Sequence, residues 1–173
     1  MAKFDVAVIG AGAAGMMCAA TAAQRGKRVV LIDHAGKLAE KIRISGGGRC
    51  NFTNINTTPA NFLSDNPHFC KSALSRYTPA DFVALVKKHR IGYHEKHRGQ
   101  LFCTESAELI IEMLKNECAA GDVHWRMPCK IASVAQTDGV YILDTDTGTI
   151  EADALVIATG GLSIPKIGAT DFS

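Results

Sequence analysis

No apolar run in this chain approaches the roughly 18–20 residues that a membrane-spanning helix needs. The opening Met1-Ala2-Lys3-Phe4-Asp5-Val6 runs straight into a strand pattern, so the expectation is that there is no signal peptide. Charge of one sign is missing as well. The 19 Lys and Arg stand against 17 Asp and Glu, a net of +2. With the basic residues scattered, this makes no strong case for independent nucleic-acid binding or for a membrane surface. No C-x-x-C pair occurs among Cys18, Cys50, Cys70, Cys103, Cys118 and Cys129. That argues against a zinc cage or a redox dithiol. Dispersed thiols fit a reducing compartment, so the expectation is a cytoplasmic protein whose cysteines are small core residues. The marks of disorder are absent too, since 47% of residues are hydrophobic and 21% charged. A length of 173 residues fits one domain, or one domain with a small excursion.

What the sequence does have begins at Val6-Ala7-Val8-Ile9-Gly10-Ala11-Gly12-Ala13-Ala14-Gly15. A four-residue apolar run stops at G-x-G-x-x-G, and small, helix-tolerant residues follow. This order reads as a buried parallel strand turning abruptly into a helix. Gly10 permits the tight turn, Gly12 lets backbone approach a pyrophosphate, and Gly15 allows close helix packing. The free N–H groups and positive dipole end at the helix start form an anion site. The helix is expected from about Ala13 to Arg25, with Gly26 as its left-handed cap. Arg28–Ile32 follows as a second buried strand, completing a βαβ unit. Asp33 ends that strand 18 residues beyond Gly15, near the offset at which an acidic side chain holds ribose hydroxyls.

Lys41-Ile42-Arg43-Ile44-Ser45-Gly46-Gly47-Gly48-Arg49-Cys50-Asn51-Phe52-Thr53-Asn54 comes next. Three consecutive glycines cost chain entropy and offer no side chain to pack. They make sense where backbone approaches another surface or several N–H groups face one anion, and a flexible linker is the bland alternative. Residues 56–77 read as irregular. Thr78-Pro79 then starts a helix with Phe82, Leu85, Val86 and His89 on one stripe, which makes His89 a packed histidine. One or two short strands are expected between Ile91 and Phe102. His94 and His97 lack the further ligands a metal site needs. Ser106 caps another helix, with Leu109, Ile110, Met113 and Leu114 on one face and Gly121 past its end. Val123–Trp125 reads as a third strand of the main sheet. Cys129–Ala135, Val140–Leu143 and Thr149–Ile150 form an antiparallel meander with hairpin turns at Asp138-Gly139 and Thr147-Gly148. A separate apolar strand, Ala154–Ala158, closes the pattern at Thr159-Gly160-Gly161 and is expected beside the opening strand.

These segments together resemble the BaiN/RdsA family of FAD-dependent oxidoreductases. The motifs that carry the resemblance are Gly10–Gly15, Ser45-Gly-Gly-Gly-Arg-Cys-Asn-Phe-Thr-Asn54 and Ala158-Thr-Gly-Gly-Leu-Ser-Ile-Pro165, and it runs along all 173 residues. It implies a Rossmann-like α/β FAD-binding fold, a parallel sheet plus a three-stranded antiparallel meander. Residues 1–173 would be the N-terminal part of the FAD-binding domain, with an irregular or helical excursion at about 55–122 and the meander at about 129–152. Family members are more than twice as long, so a substrate domain and a C-terminal return segment would be absent. This piece alone is therefore expected to bind FAD weakly or not at all.

The resemblance also implies cofactor contacts at Gly10, Gly12, Ala13, Ala14 and Gly15 on the pyrophosphate, and at Asp33 and His34 on the adenosine ribose. Lys41, Ser45, Gly46, Gly47, Gly48, Arg49, Cys50 and Asn51 would line the pyrophosphate and flavin side. Ile131 would meet adenine through its backbone, and Ala158, Thr159, Gly160 and Gly161 would approach the middle of the cofactor. The implied activity is reduction of the flavin by NAD(P)H and then of an electron-poor C=C bond. The substrate would be a small molecule, such as a steroid-like acid, or a uridine base in ribosomal RNA. No residue is assigned as catalytic acid or base. Cys50 reads as a structural residue of its loop despite the arginines around it. A nicotinamide-dependent dehydrogenase and a non-catalytic RNA-associated module are the alternatives. The sequence does not indicate an oligomeric state.

Overall fold

The computed structural model describes residues 2–161. In chain order the elements are β1 (Ala2–Ile9), α1 (Ala13–Ala23), β2 (Val29–Ile32), α2 (Glu40–Ile44), β3 (Asn51–Asn54), α3 (Lys71–Arg76), α4 (Pro79–Lys88), β4 (Tyr93–Glu95), β5 (Gln100–Cys103), α5 (Glu108–Ala120), β6 (His124–Arg126), β7 (Ile131–Thr137), β8 (Val140–Thr145) and β9 (Gly148–Ile157). Short 3-10 turns lie at Ser45–Gly47 and Pro59–Asn61. The chain divides into two compact units, residues 1–41 with 114–173, and residues 42–113.

The first unit is built on a six-stranded sheet of order β6-β2-β1-β9-β8-β7. β1 is parallel to both β2 and β9, β2 is parallel to β6, and β7-β8-β9 is antiparallel. All four β2 residues are buried, as expected of a strand covered on both faces. One side of the sheet gathers Phe4, Ala7, Ile9, Val30, Ile32, Cys129, Leu143, Ile150 and Ala152. α1 buries Met16, Ala19, Ala20 and Ala23, and its small side chains allow a close approach to neighbouring backbone. Just past the end of α5, a Cβ on Gly121 would stand 2.7 Å from the Ala23 Cβ. The buried Glu117 accepts from Gln24 Nε2 at 2.9 Å, which satisfies a carboxylate that burial would otherwise penalise.

Three sequence expectations need correction. Thr149–Ile150 and Ala154–Ala158 are not two strands, because β9 is one ten-residue strand from Gly148 to Ile157. The polar Glu151 and Asp153 break the apolar run, yet Ala152 between them is fully buried and Asp153 pairs with Lys3 at 3.8 Å. The meander therefore extends the parallel sheet itself. The second hairpin turn is Asp146-Thr147, since Gly148 (φ 113) already pairs with Thr145. The stretch 56–77 is not wholly irregular, because α3 forms within it. With six residues and none buried, α3 is too short to leave a periodic signal.

The second unit holds an antiparallel sheet of order β3-β5-β4. α4 opens on a reciprocal capping box. The Thr78 side chain accepts from the Asp81 N–H, and Asp81 Oδ2 accepts from the Thr78 N–H at 2.7 Å. Phe82 of α4, Phe52 of β3 and Tyr93 of β4 form a chain of ring contacts at 5.9 and 5.8 Å. Val86 is fully buried and His89 half-buried at the end of the same stripe. No helix among the described residues is long and apolar enough to cross a membrane.

Candidate dinucleotide-binding site

The three glycines after β1 are glycine for different reasons. Gly10 has φ +102, and a Cβ there would lie 2.4 Å from the Ala158 carbonyl oxygen. Its N–H donates to Ile32 O at 2.7 Å, and Ala158 N–H donates to Ile9 O at 2.7 Å, so β1 is held from both sides where it turns. A Cβ on Gly15 would sit 1.7 Å from the Gly10 carbonyl oxygen. Those two glycines are required by the protein's own backbone. Gly12 is not. Its φ of −81° and ψ of −168° suit any residue, and nothing lies within 4 Å of where its Cβ would be. Bare backbone facing open space fits a ligand that must come close. α1 begins here with no side-chain cap and no acid in its first turn, and Ala13 and Ala14 are exposed. The positive end of the helix is thus left to an anion.

Asp33, at the end of β2, is tied into this turn. Its Oδ2 accepts from the Ala11 N–H at 2.7 Å and its Oδ1 from the Ala35 N–H at 2.8 Å. Its backbone is held as well, with its N–H on Arg126 O (3.1 Å) and its carbonyl taking the Cys129 N–H (2.8 Å). Each carboxylate oxygen keeps a further lone pair, so two more hydrogen bonds can be accepted from ribose hydroxyls. His34 Nδ1 is 3.6 Å from Asp33 Oδ1. Ile131 opens β7 two residues after Cys129, at a ladder irregularity between Ile131 and Ser133. Sequence reasoning missed Ala11 and Ala35. Their contribution is a main-chain N–H, which no side-chain pattern reveals.

After β9 the chain continues through Ala158, Thr159, Gly160 and Gly161. Lys41 Nζ donates to the Gly161 carbonyl at 2.5 Å, and Gly160 takes φ 79 beside the same ammonium. The first unit therefore brings Gly10–Gly15 together with Ala158–Thr159 directly, and with Asp33 through Ala11. Leu162, Ser163, Ile164 and Pro165 lie outside the described residues.

Ser45–Asn51 belong to the second unit. Gly46, Gly47 and Gly48 take φ of 60, 67 and 84, and Cys50 follows at 49. The left-handed run closes on itself, with Gly48 N–H and Cys50 N–H both donating to Ser45 O. It is pinned by Ala107 N–H on Gly48 O (2.7 Å) and Cys103 N–H on Arg49 O (2.8 Å). A Cβ on Gly46 would meet the Phe102 ring at 2.7 Å, whereas Gly47 and Gly48 face open space. Arg43 forms an ion pair with Glu108. Cys50 is 4% exposed, and burial pushes its thiol up, only partly countered by the Ser45 hydrogen bond. Burial, with the neighbouring Cys50 thiol adding to it, pushes Cys103 up to about 11. A thiol so placed is held neutral, in line with a packing role for Cys50. Among the described residues no group of three or more His, Cys, Asp or Glu side chains gathers to hold a metal ion.

Comparison with known proteins agrees with the resemblance read from the motifs. A ribosomal RNA dihydrouridine synthase of Escherichia coli (strain K12) is 54% identical over 172 residues, which is 99% of this chain and 43% of that protein. A 3-dehydro-bile acid delta(4,6)-reductase of Clostridium scindens is 23% identical over 168 residues, 95% of this chain and 41% of that protein. This chain thus spans about two-fifths of the length of these curated relatives. Among solved structures, glycine oxidase from Geobacillus kaustophilus shares the fold, with a TM-score of 0.69 at 18% identity over 98% of this chain and 58% of that one. The HI0933-like protein Rossmann domain model matches residues 4–173. The chain therefore belongs to the HI0933-like Rossmann-domain family.

Proposed function

We propose that this chain is the nucleotide-binding part of an FAD-dependent oxidoreductase that takes electrons from NAD(P)H and reduces the C=C bond of a uridine base in ribosomal RNA. One observation supports a dinucleotide above all: Gly12 is bare where neither its backbone angles nor its neighbours require it. The ribosomal RNA base is favoured over a steroid-like acid by the 54% identity to the dihydrouridine synthase, against 23% to the bile-acid reductase. The six cysteines are free, in keeping with action in the cytoplasm.

FAD, when bound, supplies a ring that accepts and donates hydride. The chain's own part is to bind and orient. The Gly12 backbone and the free N–H groups at the start of α1 receive the pyrophosphate, and the α1 dipole offsets its charge. Asp33 accepts the ribose hydroxyls while its bonds to Ala11 and Ala35 keep the carboxylate from turning away. Ala158–Gly161 approach the middle of the cofactor, with the Lys41 ammonium held on the Gly161 carbonyl beside them. Ile131 meets adenine through its main chain.

Titration of FAD and of NAD(H) into the 173-residue chain, and into the product of the complete reading frame that encodes it, tests this. The complete product is expected to carry flavin absorbance in stoichiometric amount, and the 173-residue chain to bind FAD weakly or not at all. A colourless complete product that binds NAD(H) alone refutes the flavin assignment. Stoichiometric flavin on residues 1–173 refutes the expectation of half a site.

A further inference from the structure

The balance of charge over the whole chain conceals a concentration in the second unit. Residues 42–113 hold nine Lys and Arg against six Asp and Glu, while the rest of the chain holds ten against eleven. The run Lys87-Lys88-His89-Arg90-Ile91-Gly92-Tyr93-His94-Glu95-Lys96-His97-Arg98 contains five cations, three histidines and one acid. Lys87, Lys88, Arg90, Lys96 and Arg98 are all exposed, as are His94 and His97. The basic residues are thus less scattered than the sequence suggests.

The fold holds this run on adjoining elements. It leaves the end of α4, crosses a short turn into β4 and enters the hairpin toward β5, with the Phe82–Phe52–Tyr93 contacts tying helix to strand. On the hairpin, His94 stacks on Phe102 with centroids 6.3 Å apart and planes at 22°, and the Lys96 ammonium lies 5.5 Å from the same ring. Glu95, the one acid, is engaged by the turn, with its Oε1 accepting from the Gly99 N–H at 2.9 Å. Attraction to the negative end of α4 accounts for Lys87 and Lys88. It does not account for Lys96 or Arg98. Arg90 (φ 57) and Arg98 (φ 53) also stand at left-handed turn positions where glycine is the usual occupant. Arginine is the costlier choice at both corners, and each places an exposed guanidinium on the same run.

We propose that Lys87, Arg90, Lys96 and Arg98 form a docking surface for the phosphate backbone of a structured RNA. The partner rests on the RNA reading above, while the location rests on the charge alone. Arginine forks and lysine ammonium groups spaced over a helix end and a hairpin match successive phosphates, and such contacts fix position rather than sequence. Cations spread over two elements exceed what one small carboxylate can engage.

The test is fluorescence polarisation of a labelled ribosomal RNA stem-loop with the complete reading-frame product, from about 50 to about 300 mM KCl. The variant combines Lys87→Ala, Arg90→Gly, Lys96→Ala and Arg98→Gly, the two glycines being suited to the left-handed turns. Each lost phosphate contact is worth roughly 0.7–0.9 in the slope of log K against log salt, so a slope shallower by about 3 is expected. Tenfold or greater loss of affinity, with flavin absorbance unchanged and the thermal midpoint not lowered, supports the surface. The reversal Lys87→Glu with Lys96→Glu lowers the charge of the surface by the same amount and should weaken binding comparably. An unchanged slope in both variants overturns the proposal, as does equal wild-type binding to phosphatidylglycerol vesicles. Wild-type protein that lacks flavin yet binds RNA with the steep slope refutes the flavin assignment and supports this surface.

Discussion

Gly12→Ala should separate the nucleotide cradle from the fold that carries it. The backbone at Gly12 (φ −81, ψ −168) admits alanine, and no atom lies within 4 Å of the added methyl group. Two small terms oppose each other. Alanine is a poorer N-cap than glycine by roughly 0.5 kcal/mol. Restricting the unfolded chain recovers about 0.4–1 kcal/mol. The net change is within about 0.5 kcal/mol, or roughly 2 °C in the thermal midpoint for a chain of this size. The methyl group nevertheless fills the space a pyrophosphate needs, and FAD affinity should fall about tenfold or more, equivalent to about 1.4 kcal/mol. Gly15→Ala supplies the contrast. Its Cβ would lie 1.7 Å from the Gly10 carbonyl oxygen, so α1 must shift off the turn. Overpacking of this kind costs about 1–3 kcal/mol or more. Thermal melts followed by far-ultraviolet circular dichroism give the first quantity, and flavin fluorescence titration of the complete reading-frame product gives the second. A melting point for Gly12→Ala as low as that for Gly15→Ala, or an unaltered FAD affinity, refutes the reasoning.

Four other outcomes are expected. Asp33→Asn leaves one amide nitrogen facing a main-chain N–H donor, since Ala11 and Ala35 occupy both carboxylate oxygens. It should lose about 1.5–3 kcal/mol in urea unfolding. Thr78→Ala removes the cap of α4 and should cost about 1 kcal/mol in the same assay. Gly47→Ala bears only the left-handed penalty of about 1–2 kcal/mol. Gly46→Ala adds overpacking against Phe102, so it should melt well below Gly47→Ala. Burial raises the thiols of Cys103 and Cys118 from 9.0 to about 11. Between those values the unfolded chain gives up protons that the folded one keeps, so their stabilising effect is whole below pH 9 and wanes as pH rises to about 11. A pH series of urea midpoints shows it, with Cys103→Ser and Cys118→Ser flattening the decline.

The first βαβ unit was legible because three signals agree there. An apolar strand, glycines in register and an acid at the end of the next strand are each set by local physics. The meander was visible through its turn residues, but its join to the sheet was hidden. Glu151 and Asp153 interrupt the apolar pattern of β9, and only pairing across the sheet shows that Ala152 between them is buried. α3 could not be read because it buries nothing. The tight turn after β1 was legible through Gly10 and Gly15, and the bare backbone at the start of α1 through Gly12. The Asp33 clamp was legible only by half, since the carboxylate has a sequence signature and the N–H groups of Ala11 and Ala35 have none. The charge on residues 87–98 was visible as letters. Its meaning depended on exposure and on the two left-handed arginines, which are properties of the folded backbone.

β9 has a consequence for the order in which the protein can assemble. β1 and β9 are the two middle strands of the six, and Ala2 pairs with Ile150. β1 must therefore wait for β9, which is made long after it. At about 5–20 residues per second that interval is roughly 7–30 s, during which one apolar edge of β1 has no partner. Residues 42–113 are contiguous and made in between, so their sheet can close while the larger one is still open. Nascent chains stopped before Gly148 should accordingly protect β3-β5-β4 from protease and leave β1 open to chaperones.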